Sequence, residues 1–225
     1  MNKIESPPLT PVMKKTILSE EKVESLLNHL TETGQYDKAC ALALAAYSGR
    51  RKTELLRFKV SDFDDSHLIL NGALYKSTPI KTKGRGVQGK MLECFTLAKK
   101  FKPYFDNWMK YREENNILSE WLFPSANNYM RSIKKYTLDF WTYQFSDFLG
   151  EDFYWHALRH MTVTSFKRAG IPDTIIKLYI GWDTLDMVCV YSDLEASEEL
   201  SLYFDGESEN GIKENRPKST EELFT

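Results

Sequence analysis

Two short polar segments far apart in the chain, Gly49-Arg50-Arg51-Lys52-Thr53-Glu54-Leu55 and His156-Ala157-Leu158-Arg159-His160, constrain the fold more than any other feature. Beyond the second come Gly181-Trp182 and then Tyr191. A guanidinium is planar, stays charged at any working pH and donates two parallel hydrogen bonds to paired oxygens. A chain carrying these groups in this order, with an imidazole, an indole and a phenol, can use them together only if its fold draws remote stretches of backbone around one anion.

That set suits attack on a phosphodiester. The ester is an anion that repels nucleophiles, and its charge concentrates on the non-bridging oxygens as a five-coordinate transition state forms. Two arginines from distant segments can clamp both oxygens without a metal. Tyrosine supplies an oxygen nucleophile once a neighbouring cation or base helps remove its proton, because an unperturbed phenol has a pKa of about 10. The departing oxygen then takes a proton from a lysine or histidine in reach.

Gly49-Arg50-Arg51-Lys52-Thr53-Glu54-Leu55-Leu56, leading on to Val60-Ser61-Asp62, resembles the first arginine box of the tyrosine recombinases, which include phage integrases and some transposases. His156-Ala157-Leu158-Arg159-His160 resembles their second box, and Gly181-Trp182 with Tyr191 nine residues on resembles their third. The resemblance covers residues 19–203 and implies the catalytic-domain fold of that family. It makes Tyr191 the nucleophile that forms a 3′-phosphotyrosyl link and frees a 5′-hydroxyl, with Arg51 and Arg159 holding the scissile phosphate. Arg51 takes the box position because the family's order is glycine, any residue, arginine; Arg50 stands where an apolar residue is commoner. Glu54, three residues beyond Arg51, is then the acid that orients it, and His156 the assisting acid or base. Trp182 stands where many members have histidine, and an indole, which donates one hydrogen bond and shuttles no proton, positions rather than titrates. Neither a cofactor nor a metal is implied.

The family also places a general-acid lysine on a β-hairpin between its first two boxes. Residues 67–93 suit such an element: His67-Leu68-Ile69-Leu70, a turn at Asn71-Gly72, an extended run over 73–80, and a second glycine-rich turn through Lys81-Thr82-Lys83-Gly84-Arg85-Gly86. Lys81, followed by threonine, matches the family best, and Lys83 competes because one sequence does not set hairpin register. Lys83, Arg85 and His160 are assigned as DNA contacts, with a purely structural role as the other reading of His160. His156 and His160 have the i, i+4 spacing of a zinc pair, yet the residues between them are Ala157, Leu158 and Arg159, with no motif glutamate and a cation that would repel the metal.

Hydrophobic periodicity predicts a mainly α-helical domain with a small antiparallel β-sheet. Residues 1–18, with Pro7, Pro8 and Pro11, read as a linker, and 204–225 as an acidic tail. Ser19 caps a helix whose Val23, Leu26, Leu27 and Leu30 share a face, and an alanine-rich helix over 36–48 leads into Gly49. Helical stretches follow over 92–115, 130–150, 155–168 and 174–180, the last capped by Asp173 and ended by Gly181. The density of Phe140, Trp141, Tyr143, Phe145 and Phe148 reads as core packing, and Cys40, Cys94 and Cys189 as reduced, buried small hydrophobes.

A net charge of −2 opposes a DNA-binding role until its distribution is read. Residues 192–225 hold ten acids against three bases, which leaves residues 1–191 at +5. Lys76, Lys81, Lys83, Arg85, Lys90 and the run Arg131, Lys134, Lys135 are phosphate contacts or a solvated face. With no bilayer-length apolar run and no signal-peptide core, the expectation is a cytoplasmic protein without a membrane partner. The partners implied by the resemblance are double-stranded DNA and further copies of the chain, a tetramer on DNA docked through residues 194–204. The family's usual N-terminal helical domain has no counterpart in this length, so the chain reads as a catalytic-domain fragment or a short member. The leading expectation is a site-specific recombinase serving integration, excision or transposition. A type IB topoisomerase-like nicking and religating enzyme and a non-catalytic DNA-binding regulatory module are the alternatives.

Overall fold

The computed structural model describes residues 18–82, 90–192, 194, 196–204 and 213. Its first helix, α1 (Glu20–Glu32), starts where expected: the Ser19 hydroxyl accepts from the Lys22 amide at 3.3 Å, and Val23, Leu26, Leu27 and Leu30 are all buried. α2 (Tyr36–Ser48) is the centre of the molecule, with every residue from 39 to 46 buried. Its alanines leave room for neighbours on several sides, so α1, α4 (Ala98–Glu114) and α6 (Trp155–Arg168) all pack on it. A helix apolar all round must be enclosed. Truncating a leucine inside it, such as Leu42 or Leu44, costs about 2–5 kcal/mol by the usual cavity penalty. The remaining helices are α3 (Lys52–Leu55), α5 (Lys135–Leu149), α7 (Asp173–Ile180), α8 (Asp186–Tyr191) and α9 (Ala196–Ser201). Among the described residues no helix is long and apolar enough to cross a membrane.

The strands are β1 (Leu68–Ile69), β2 (Leu74–Lys76), β3 (Ile80–Thr82), β4 (Lys90–Leu92), β5 (Phe95–Leu97), β6 (Pro124–Ser125) and β7 (Asn128–Ser132). Among the described residues they form three small antiparallel sheets, ordered β1-β2-β5, β3-β4 and β6-β7. The mainly α architecture with little antiparallel sheet is therefore as expected. The Asn71-Gly72 turn forms with Leu70, Asn71 and Gly72 all at positive φ, which pairs Leu68 with Tyr75.

Several boundaries differ from the sequence reading, each for a physical reason. The extended run over 73–80 is two strands, because Asp62, wholly buried, accepts from the Thr78 amide at 3.0 Å and its hydroxyl at 2.5 Å, and Pro79 has no N–H for a ladder. The stretch 92–115 opens with strand, since Phe95, Thr96 and Leu97 complete the first sheet beside β2, and the helix begins only at Ala98. Residues 128–132 are strand rather than helix, and α5 starts at Lys135. Asp173 is the first residue of α7, with Pro172 at the cap. Trp141 and Phe145 enter the core, whereas Phe140, Tyr143 and Phe148 are exposed. Cys40 and Cys94 are buried, but Cys189 is exposed. The second hairpin turn, with Lys83 and Arg85, lies outside the described residues, as do most of the linker and the acidic tail.

Candidate active site

The site is assembled at the C-terminal end of α2. A helix leaves its last four carbonyls without intrahelical partners and carries partial negative charge there. Here side chains satisfy them in turn, three from elements remote in sequence and one, Arg50, from just beyond the helix end. Thr162 Oγ1 donates to Ala46 O at 2.8 Å, Tyr179 OH to Tyr47 O at 2.5 Å, Arg50 Nε to Ser48 O at 3.2 Å, and Arg159 Nη1 to Gly49 O at 3.0 Å. Two arginines thus sit where the helix end favours cations. Gly49 makes the turn at φ +61°, and a Cβ there would overlap Ile180 Cδ1, so the first arginine segment lies directly against the end of α7. Gly181 ends α7 at φ +75°, and a Cβ there would overlap Leu92 Cδ2 of β4, which seats the β3-β4 hairpin on the Gly181-Trp182 turn.

Arg51 caps α3 through a reciprocal arrangement with Glu54. The Arg51 amide donates to Glu54 Oε2 at 2.9 Å, and its Nη1 lies 3.2 Å from Oε1. Glu54 is buried, so this pair fixes the Arg51 side chain more firmly than an exposed pair would. Arg51 and Glu54 line a cleft of about 540 Å³ together with Arg50, Arg159, Thr82 and Lys90. Trp182 and Asp183 also line it, and Lys90 Nζ donates to Asp183 Oδ1 at 2.5 Å.

Tyr191 lies beside this cleft, buried, its hydroxyl 2.8 Å from His156 Nε2. Its ring is held on several sides. His160 stacks on it with centroids 4.5 Å apart, Trp182 is tilted against it at 4.8 Å, and the Arg159 guanidinium carbon lies 5.5 Å from its centroid. Arg159 also lies over Trp182 at 4.9 Å, a cation–π contact. Arg159 Nε and Trp182 Nε1 are buried donors without a hydrogen-bond partner among the described residues. Unsatisfied buried donors are costly, and both belong to residues that line the polar cleft.

Burial, then the charges of His160, Arg159 and Arg51, lower the His156 imidazole to about 4. It is therefore neutral at pH 7, and with its proton on Nδ1 its Nε2 is free to accept the phenolic hydrogen. Burial, aided by Arg50 and Arg51, likewise lowers Arg159, to about 9, which leaves it charged at neutral pH. The His156 shift has a measurable consequence. Between pH 6.5 and about 4 the unfolded histidine binds a proton that the folded one rejects, so stability falls as pH drops through that window. Replacing His156 by Gln should flatten that part of the stability–pH curve in denaturant titrations at pH 7 and pH 5. An undiminished loss in the variant would show that His156 is not its source.

The fold thus brings Arg51, Glu54, His156, Arg159, Trp182 and Tyr191 together, and places the His160 ring against Tyr191. Lys81 stands apart: its side chain is exposed on the face of β3 opposite Thr82, paired with Met91, while its carbonyl accepts from Arg57. The sequence reading gave no role in the site to Arg50, Thr162, Tyr179 or Asp183. Only Arg50 had a signal, its place next to Arg51, and the others act through contacts between elements remote in sequence.

Residues 16–198 match the model of the phage integrase family. No match was found among curated protein sequences. Among solved structures, the XerA recombinase is similar with a TM-score of 0.65 and 20% identity, over 87% of this chain and 65% of that one. The XerH site-specific recombinase, in a post-cleavage complex with its palindromic difH substrate, gives 0.62 and 18%, over 82% and 51%. The Tn1549 transposon integrase with circular intermediate DNA gives 0.58 and 16%, over 85% and 66%. The chain thus spans about half to two-thirds of these relatives, and at such identities the likeness is one of fold.

Proposed function

This chain belongs to the phage integrase family, and on that premise we propose that it is a site-specific DNA recombinase that breaks and rejoins strands through a 3′-phosphotyrosyl intermediate. The observation that carries the reading is the Tyr191 hydroxyl, hydrogen-bonded at 2.8 Å to a neutral imidazole and packed against the guanidinium of Arg159 at the edge of a cationic cleft. A binding module needs no phenol aligned with a base.

In the proposed reaction, Arg51 and Arg159 take the non-bridging oxygens of the scissile phosphate, and the Trp182 indole donates a further hydrogen bond. His156 accepts the phenolic proton as the Tyr191 oxygen attacks phosphorus. The O–P bond to tyrosine forms, the bond to the 5′ oxygen breaks, and a lysine of the β3-β4 hairpin protonates the leaving oxygen. Lys81 is assigned that proton, with Lys83 as the competing donor. Because the Lys81 side chain is on the outer face, the reading requires the hairpin to turn on binding DNA. The 5′-hydroxyl of a second strand then attacks the phosphotyrosine, giving its proton to the hairpin lysine, while the O–P bond to Tyr191 breaks and the phenolate takes its proton back from His156, so the ester bond energy is conserved. The proposed partner is double-stranded DNA, with which the XerH and Tn1549 chains were solved. Assembly is proposed as a tetramer through α9, which in this chain is tied to α6 by the Arg168–Glu198 pair at 2.8 Å.

The test begins with a pool of nicked suicide duplexes of random sequence, from which strands covalently joined to the protein are recovered and sequenced. A plasmid carrying two copies of the recovered sequence should then exchange strands between them in the presence of a metal chelator. Relaxation of plasmids lacking any copy would assign the topoisomerase reading instead, and failure to form any adduct would leave only the non-catalytic one.

A further inference from the structure

We propose that Arg50 is a third cation of the phosphate site, a positioning residue beneath the cleft whose buried charge is balanced only when an anion occupies it. This rests on reading the cleft as a phosphate site.

Arg50 is 1% exposed, one of the largest wholly buried side chains of the molecule. Its hydrogen bonds all go to uncharged acceptors: Ser48 O at 3.2 Å, Tyr179 O at 2.8 Å and Cys94 Sγ at 3.6 Å. Among the described residues no carboxylate lies within ion-pair distance of it. The one acid deep in the cleft, Glu54, is already engaged by Arg51. Lining the cleft are four cations, Arg50, Arg51, Arg159 and Lys90, against two carboxylates, Glu54 and Asp183. A buried guanidinium left without a counter-charge is costly, and its carbonyl contacts offset only part of that cost. An apolar residue would fill the position more cheaply if packing were its only task. A phosphate above it supplies the missing charge, and at the short separations of such a cleft the attraction survives far better than in water.

The same side chain sets geometry. Its bonds to Ser48 O and Tyr179 O tie the Gly49 turn, which presents Arg51, to the last turn of α7, which presents Trp182. Arg159 fastens that turn from the other side through Gly49 O. Removing Arg50 therefore weakens anion binding through both its charge and its bracing, whereas a purely structural arginine would affect stability alone.

The experiment measures the thermal midpoint of the protein with rising inorganic phosphate, against chloride at matched ionic strength, for the wild type, Arg50→Met and Arg50→Lys. The wild type should be stabilised specifically by phosphate, by the mass-action shift of a ligand bound only to the folded state. Arg50→Met should bind phosphate at least tenfold more weakly, and Arg50→Lys, which keeps the charge, should recover most of that loss. If Arg50→Met does not fold, Arg50→Gln against Arg50→Lys carries the same comparison. Equal phosphate responses in charged and uncharged variants, or no phosphate response in the wild type, would overturn the proposal. The recombinase reading fails separately: its failure is an absent DNA adduct, with the phosphate response and its dependence on Arg50 intact.

Discussion

Arg159→Ala should slow formation of the DNA adduct by roughly 10³-fold or more while moving the unfolding midpoint little. In the proposed reaction this buried guanidinium is aimed at the transition state, where one lost donor already costs about 10²–10³-fold, and a guanidinium supplies two. Its effect on stability is a balance. Truncation leaves Gly49 O without its 3.0 Å donor, which costs about 1–3 kcal/mol. It also removes a guanidinium that is 2% exposed and whose lowered pKa reports the strain of burying it beside Arg50 and Arg51. Removing that burdened charge offsets much of the lost bond. Arg159→Lys keeps a charge but loses the fork, and should fall between wild type and alanine. An alanine variant within tenfold of wild-type cleavage would show that this arginine does not meet the phosphate.

Gly49→Ala should cost far more stability than Gly34→Ala, although both glycines have positive φ. Gly34, at φ +71°, has nothing within 4 Å of the added methyl, so it loses only the left-handed penalty of about 1–2 kcal/mol. Gly49, at φ +61°, pays that penalty and also drives the methyl into Ile180, itself 1% exposed and unable to move outward without dislodging α7. Overpacking of this kind adds roughly 1–3 kcal/mol, for a total near 2–5 kcal/mol. Because Ile180 precedes Gly181-Trp182, the same displacement should depress adduct formation. Denaturant midpoints of the two variants compare them directly, and equal shifts would mean that the turn is not wedged against α7.

The sequence was most legible where local chemistry and tertiary role coincide. The start and buried face of α1, and the place and length of α2 and α6, were readable, because a capping serine, a run of alanines ended by Gly49, and an aromatic start ended near Gly170 act within a few residues. The resemblance to the arginine and tyrosine boxes led to the expectation that Arg51, His156, Arg159, Trp182 and Tyr191 would meet, and the fold brings these side chains together. What was not legible depends on pairing across distance. Nothing local marks Phe95-Thr96-Leu97 as strand, since it forms only because β2 offers an edge. Asp62 looked like the end of a motif, yet its buried carboxylate anchors the start of the hairpin through Thr78. Thr162 and Tyr179 are ordinary helix residues until α2 presents them with unpaired carbonyls. The outward orientation of Lys81 likewise follows from register, with Ile80 and Thr82 taking the buried face.

The most direct test of this account is to digest the protein–DNA adduct formed on a nicked suicide duplex and identify the peptide that carries the DNA. The account predicts a single peptide containing Tyr191, bearing a 3′-phosphate in the presence of a chelator, and no adduct at all from Tyr191→Phe. DNA attached to any other residue, or an undiminished adduct from the phenylalanine variant, would contradict it.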